Sequence, residues 1–244
     1  MAFPSLRSDF ANTQTSNSSS WTLTYDSLTI QDGGGSTIVA GDLIMINIGR
    51  DGSTGTGAIT DYSLIFNQAN GTACRGLTFV KVATGSESGT FTYSPGASEQ
   101  GAWRIAVIKD WWGTIATGVE VNTVVTGTSA NPDPGSLNPT NWDVEDTYWR
   151  ALCAWDDGRP NVTTFPTNYT LFQNSDASGG SGGAGLGGAT RTNAVASEDP
   201  SAFTKTGTGS GSAWVAWVVA IRPAAPAAYQ PRYGNVNFVD PGIF

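Results

Sequence analysis

The chain has no histidine among its 244 residues and only two cysteines, Cys74 and Cys153. Without histidine there is no Ser-His-Asp or Cys-His nucleophile and no His-ligated zinc or iron. Two isolated cysteines build neither a thiolate zinc site nor a disulfide framework. We read them as reduced, partly buried small apolar residues, with a single bridge between them as the open alternative. Charge is also scarce: 13% of residues are charged, with three lysines and five glutamates. Lys and Glu populate surface helices, so their shortage argues against a helical protein. The net charge is −8 and the basic residues are scattered, which disfavours nucleic acid as a direct ligand. Long apolar runs are missing as well. The unbroken run Ala213 to Ile221 has nine residues, against about 20 for a spanning helix, so no membrane segment is expected. The first twenty residues lack the basic start and apolar core of a signal peptide. The expectation is a protein made and folded in a cytoplasm, where the sequons at Asn70, Asn161 and Asn168 carry little weight.

What is present is Gly (31 residues), much Ser, Thr and Asn, and nine Trp. Thr, Val and aromatic residues punctuated by Gly and Asn read as strands and turns. The segment "SAWVAWVVAIRP" (Ser212 to Pro223) is ambiguous by periodicity alone. Its Gly-rich upstream flank and β-branched content make it a strand buried on both faces. "GAWRIAVIKD" (Gly101 to Asp110) has the same shape, and four landmarks precede or open both segments in the same order. They are Tyr62 and Tyr169, Glu87 and Glu198, Phe91 and Phe203, Trp103 and Trp214. Further upstream "GDLIMINIGRDG" is matched by "EDTYWRALCAWDDG". We therefore expect two copies of one unit, at about 21–110 and 118–222, with 1–20 as an amino-terminal extension. The expected fold is all-β: a jelly-roll-like double-sheet β-sandwich built from two duplicated halves, each supplying half of one core. Two tandem sandwiches are the second reading.

Three segments fall outside that core. Gln173 to Arg191 contains a G-x-G-x-x-G match at Gly183 to Gly188, but no helix follows, so it reads as a long surface loop rather than a dinucleotide site. Gly127 to Asp143 is a Pro- and Asn-rich crossover between the halves. Residues 223–244 form an extended carboxyl-terminal arm, kept out of central strands by proline. Its aromatics Tyr229, Tyr233, Phe238 and Phe244 are the candidate subunit-interface residues.

Paired carboxylates of the glycosidase kind have candidates in Asp156 and Asp157, and in Asp143, Glu145 and Asp146. Turn and strand-edge chemistry accounts for them better, because Asp51-Gly52 and Asp42 mirror them in the first half. No catalytic, cofactor-binding or metal-ligating residue is assigned. Trp111 and Trp112 are adjacent, so one of the two rings faces outward. That ring is a candidate glycan-stacking or subunit-contact surface.

With those residues in view, the chain resembles the tailed-bacteriophage virion structural proteins of the β-sandwich decoration or tail-associated type. The resemblance is carried by "AGDLIMI", "SEQGAWRIAVIKD", "PTNYTLF", the Gly-rich stretch, "ASEDPSAFT" and "SAWVAWVVAIRP", over roughly residues 20–223. It implies a non-enzymatic capsid decoration (cement) protein, assembled in the host bacterial cytoplasm and carried in the virion. Its partners would be other capsid or tail subunits, and it would be a homo-oligomer without cofactor. The alternative is a carbohydrate- or receptor-binding module of a tail fibre or head surface, with Trp111 or Trp112 on a surface glycan.

Overall fold

The turn-rich, β-branched sequence folds almost entirely into antiparallel strands. The computed structural model describes residues 2–52, 54–122, 125–156, 161–176, 183–206 and 211–225. In the first half these are β1 (Ser5–Ser18), β2 (Trp21–Thr24), β3 (Thr29–Ile30), β4 (Leu43–Asp51), β5 (Ala58–Ile59), β6 (Ser63–Asn70), β7 (Cys74–Val82), β8 (Thr90–Ser94) and β9 (Glu99–Lys109). A single helical turn, α1 (Ile115–Gly118), leads into the second half. There follow β10 (Val119–Val121), β11 (Val125–Gly127), β12 (Glu145–Asp156), β13 (Asn161–Thr164), β14 (Thr170–Asp176), β15 (Ala184–Val195), β16 (Thr204–Thr206) and β17 (Trp214–Ile221). Among the described residues no helix is long and apolar enough to cross a membrane.

Each half builds one large sheet, and the two sheets repeat one strand order. The first runs β3-β1-β9-β4-β7-β6 and the second β10-β17-β12-β15-β14. Thus β9-β4-β7-β6 corresponds to β17-β12-β15-β14, and β1 corresponds to β10 with β11, which both pair antiparallel with β17. Between β10 and β11 the backbone pairing is replaced at Asn122. Its N–H donates to the Val218 carbonyl and its Oδ1 accepts from the Val218 N–H (3.1 and 2.7 Å). The residues expected to extend beyond the sandwich, 5–18, are therefore an interior strand of the first sheet, lying between β3 and β9. Their polar run "SDFANTQTSNS" hides a strand with apolar residues on both faces: Leu6 packs on the shared core and Phe10 on the outer core of the first half.

The landmark residues sit in equivalent places. Asp61 and Asn168 both adopt φ of 66°, so Tyr62 and Tyr169 leave matching turns before β6 and β14. Glu87 pairs with Lys81 of β7 (3.1 Å), and Glu198 with Arg191 of β15 (2.7 Å).

Alternation along the strands then decides the layers. Leu43 and Met45 of β4, Ala102 and Ile108 of β9, Leu152 and Ala154 of β12, and Val215 to Ile221 at alternate positions of β17 point into one core between the large sheets. The opposite faces need cover too. In the first half Ile44, Ile46, Ile48, Trp103 and Ile105 pack under the small sheet β2-β8-β5, with Trp21, Leu23 and Tyr93 inserted. In the second half Cys153, Trp155, Trp214 and Ala216 pack under β13 and β16 with Val162 and Phe203. The crossover lays Leu137 and Trp142 over Trp149 and Val218. The result is an all-β sandwich of two large sheets sharing one core, each with a thinner outer cover. Each fully buried aliphatic or aromatic side chain in these layers contributes about 1.5–3 kcal/mol relative to exposure.

The Gly-rich stretch corrects the loop expectation from Ala184 onward. Ala184 to Ala189 are buried in β15, paired on both sides by β12 and β14. A Cβ at Gly185 would collide with the Trp155 ring. Glycine stands there because a tryptophan lies flat against the strand, a packing reason that composition does not distinguish from a loop. Residues 177–182 of that stretch lie outside the described residues.

Candidate functional site

The shared core changes character from one side to the other. On the β6–β17 side it is apolar: Phe66 stacks on Trp217 with centroids 4.7 Å apart and planes 14° apart. Toward the middle, each of several apolar strands carries one polar residue on its inward face. Asn47 interrupts β4, Thr78 β7, Arg104 β9 and Arg150 β12, and all four are buried. Asn47 lies directly between Thr78 and Arg104 in register. The Trp217 Nε1 donates to the Thr78 Oγ1 (3.0 Å) and closes the apolar part. The Asn47 amide, fully buried, has no hydrogen-bond partner among the described residues.

The two guanidiniums are costly to hold here. Burial pushes Arg104 down to about 9, and the positive charge of Arg150 pushes the same way. Burial likewise lowers Arg150, to about 10. Both remain charged at neutral pH, and Asp9 of β1 forms an ion pair with Arg104. Gln31 Nε2 donates to the other Asp9 oxygen (2.7 Å).

This seam opens at the β1–β14 side into a cavity of about 590 Å³. Asp9 and Arg104 from the first half face Tyr148, Thr170 and Thr190 from the second across it. A smaller cavity of about 270 Å³ shares Tyr148, Thr170, Thr190 and Thr192 with it and extends toward Asn168. Neither half forms this groove alone. No sequence-predicted site residue lies in it. The available signal was a single strongly polar residue inside each of "LIMINIG", "AWRIAVI" and "YWRALCAW".

The tryptophan pair behaves differently from a free stacking platform. Trp111 is buried, with its Nε1 donating to the Gly41 carbonyl (2.8 Å). Trp112 is half-buried, and one face of its ring is covered by the Arg222 guanidinium at 3.6 Å. Arg222 in turn makes two hydrogen bonds to the Glu145 carboxylate (2.9 and 2.8 Å), which raise its pKa further. Backbone bonds from Trp112 to Arg222 and from Ala224 to Asp110 (3.0 and 2.9 Å) fasten the chain as it leaves β17. Pro223 bridges to Trp111 at the same point. The arm aromatics Tyr229, Tyr233, Phe238 and Phe244 lie outside the described residues.

Of the carboxylate candidates, Glu145 is taken up by Arg222. Glu145 and Asp146 open β12 and Asp156 closes it, about 35 Å apart at strand rise; Asp157 lies outside the described residues. Sequence reading missed a different meeting of charges, where the ends of β4 and β12 come together. There burial pushes the Asp51 carboxyl up to about 6, and Asp156 and Glu99 push the same way. Among the described residues no group of three or more His, Cys, Asp or Glu side chains is placed to hold a metal ion. Both cysteines are free and buried. Cys74 faces the shared core and Cys153 the outer core of the second half, so the second sheet separates them. Comparison with known proteins finds no matching family model, no matching curated protein and no matching solved structure.

Proposed function

We propose that the protein is a non-enzymatic structural subunit that docks on neighbouring subunits through residues 223–244. Following the sequence resemblance, we place it as a decoration protein of a tailed-phage virion. The observation that carries the reading is the fastened exit from β17. Arg222, held between Trp112 and Glu145, fixes the point from which the Pro- and aromatic-rich segment departs. An anchored exit fixes the place from which the segment meets a neighbouring subunit, which favours a second contact once one is made. The sandwich behind it is covered on both faces of each large sheet, as suits a rigid platform.

Truncation after Ala225 tests this. The shortened protein should melt within a few degrees of the full chain, because the core strands are untouched, and should fail to occupy the particle or to self-associate. A truncated protein that assembles as the full chain does would overturn the proposal. Trp112→Ala should give a milder version, with the segment present but its exit loosened.

A further inference from the structure

The groove at the open side of the seam has no part in the docking reading. We propose that it binds a neutral oligosaccharide, seated between β1 and the β14–β15 pair, with Asp9 and Arg104 at its floor. Its volume of about 590 Å³ falls within the range of small-molecule sites.

The lining chemistry selects the ligand class. Asp9, Arg104 and Gln31 are planar groups with donors and acceptors in fixed directions. Between them stand Thr170, Thr190 and Thr192, which offer a hydroxyl and a methyl each. Thr190 and Thr192 share a strand face, and Thr170 lies directly across from Thr190. A saccharide presents the same mixture, hydroxyls around its rim and C–H patches on its faces. An apolar ligand would desolvate the floor groups and the threonine hydroxyls and return no hydrogen bond to them. An anion would have to displace Asp9 from Arg104, whose charge that carboxylate already answers. A neutral polyol can accept from Arg104 and donate to Asp9 while leaving the pair intact.

The residues behind the floor point the same way. An apolar side chain at position 47 would suit a sandwich core, yet the buried Asn47 amide stands beside Arg104 without a partner of its own. Retaining polar groups at such depth costs stability. A polar site that both halves must complete gives that cost a reason.

The experiment is a titration of the full chain with a panel of neutral gluco-, galacto-, manno- and chito-oligosaccharides, read by calorimetry and by amide shifts. The expected result is saturable binding by at least one, with a dissociation constant of about 1 mM or tighter, and shifts at Tyr148, Thr190 and Thr192. Thr170→Val and Thr190→Val should each weaken binding about tenfold, the scale of one lost hydrogen bond. Thr192→Trp, at an exposed position, should fill the mouth and abolish binding without disturbing the core. Trp112→Ala should leave binding unchanged. No saturable binding at about 10 mM, binding indifferent to the groove variants, or binding of acidic saccharides or inorganic phosphate alone would overturn the proposal. None of these outcomes bears on the truncation experiment.

Discussion

The two sides of the inter-sheet core are built by the same two sheets and differ in almost every physical respect. On the β6–β17 side, aromatic rings stack and Trp217 fits against Gly76, where a Cβ would come within 2.6 Å of the ring. On the β1–β14 side, an ion pair, an amide and threonines face a cavity. The contrast separates two jobs. The closed side holds the halves together by buried apolar area and close packing. The open side holds polar groups that weaken the same interface and gains a concave surface.

The sharpest way to break this contrast is on the closed side. Trp217→Ala removes a fully buried ring and leaves the Thr78 hydroxyl without its donor. Such changes cost about 3–5 kcal/mol, and a denaturant or thermal melt should report a loss of that size. On the open side Asp9→Ala takes the carboxylate partner from Arg104. The pair sits at the groove rather than in sealed core, so the expected loss is about 2 kcal/mol, below the range for fully buried pairs. If the two losses came out equal, the division between a packing side and a binding side would fail.

Asn47→Leu runs the other way. It replaces an unpartnered buried amide with an apolar chain of similar size, and the melt should rise, by about 1 kcal/mol. If binding in the groove weakens while stability rises, Asn47 supports the site at the expense of the core. A destabilised variant would instead mean that the amide is satisfied within the fold.

How far this was legible in the sequence depends on which interactions decide each element. β17 and β9 could be read because apolar runs bounded by turn residues specify a two-faced strand locally. The halves could be matched because Tyr62 and Tyr169, or Glu87 and Glu198, serve the same turn and ion pair in each. β1 could not be read, since the residues it buries deepest, Ser8 and Asp9, are polar, and its strand character comes from pairing with β9. Nor could β15, whose glycines are set by a tryptophan on another strand. The groove was least legible of all. Asp9, Arg104 and Tyr148 lie far apart in the chain, and their meeting depends on which faces of two sheets oppose each other. The Trp111–Trp112 pair drew attention as a possible platform, but Arg222 already covers the Trp112 ring.

The smallest expected effect lies where the ends of β4 and β12 bring Asp51, Asp156 and Glu99 together, with Arg50 paired to Glu99 and offsetting part of their repulsion. The Asp51 carboxyl titrates at about 6, against 3.8 for the free group. The folded state therefore binds this proton more tightly than the unfolded chain does. Stability from this group is greatest at low pH, declines as pH rises from about 4 through about 6, and is flat above that. A gap of that size is worth about 3 kcal/mol for a sealed group, and half-burial brings it to about 1 kcal/mol. Asp51→Asn keeps the Oδ1 that accepts the Gly52 N–H (2.7 Å) and removes the charge. The variant should gain about 1 kcal/mol over the parent at pH 7 and nothing at pH 4. Asp156→Asn, which removes one repelling neighbour from the other half, should shift the Asp51 titration downward in a carboxyl-detected NMR experiment. A titration unmoved by that change would mean that burial alone raises Asp51, and that the two halves meet at this end without electrostatic strain.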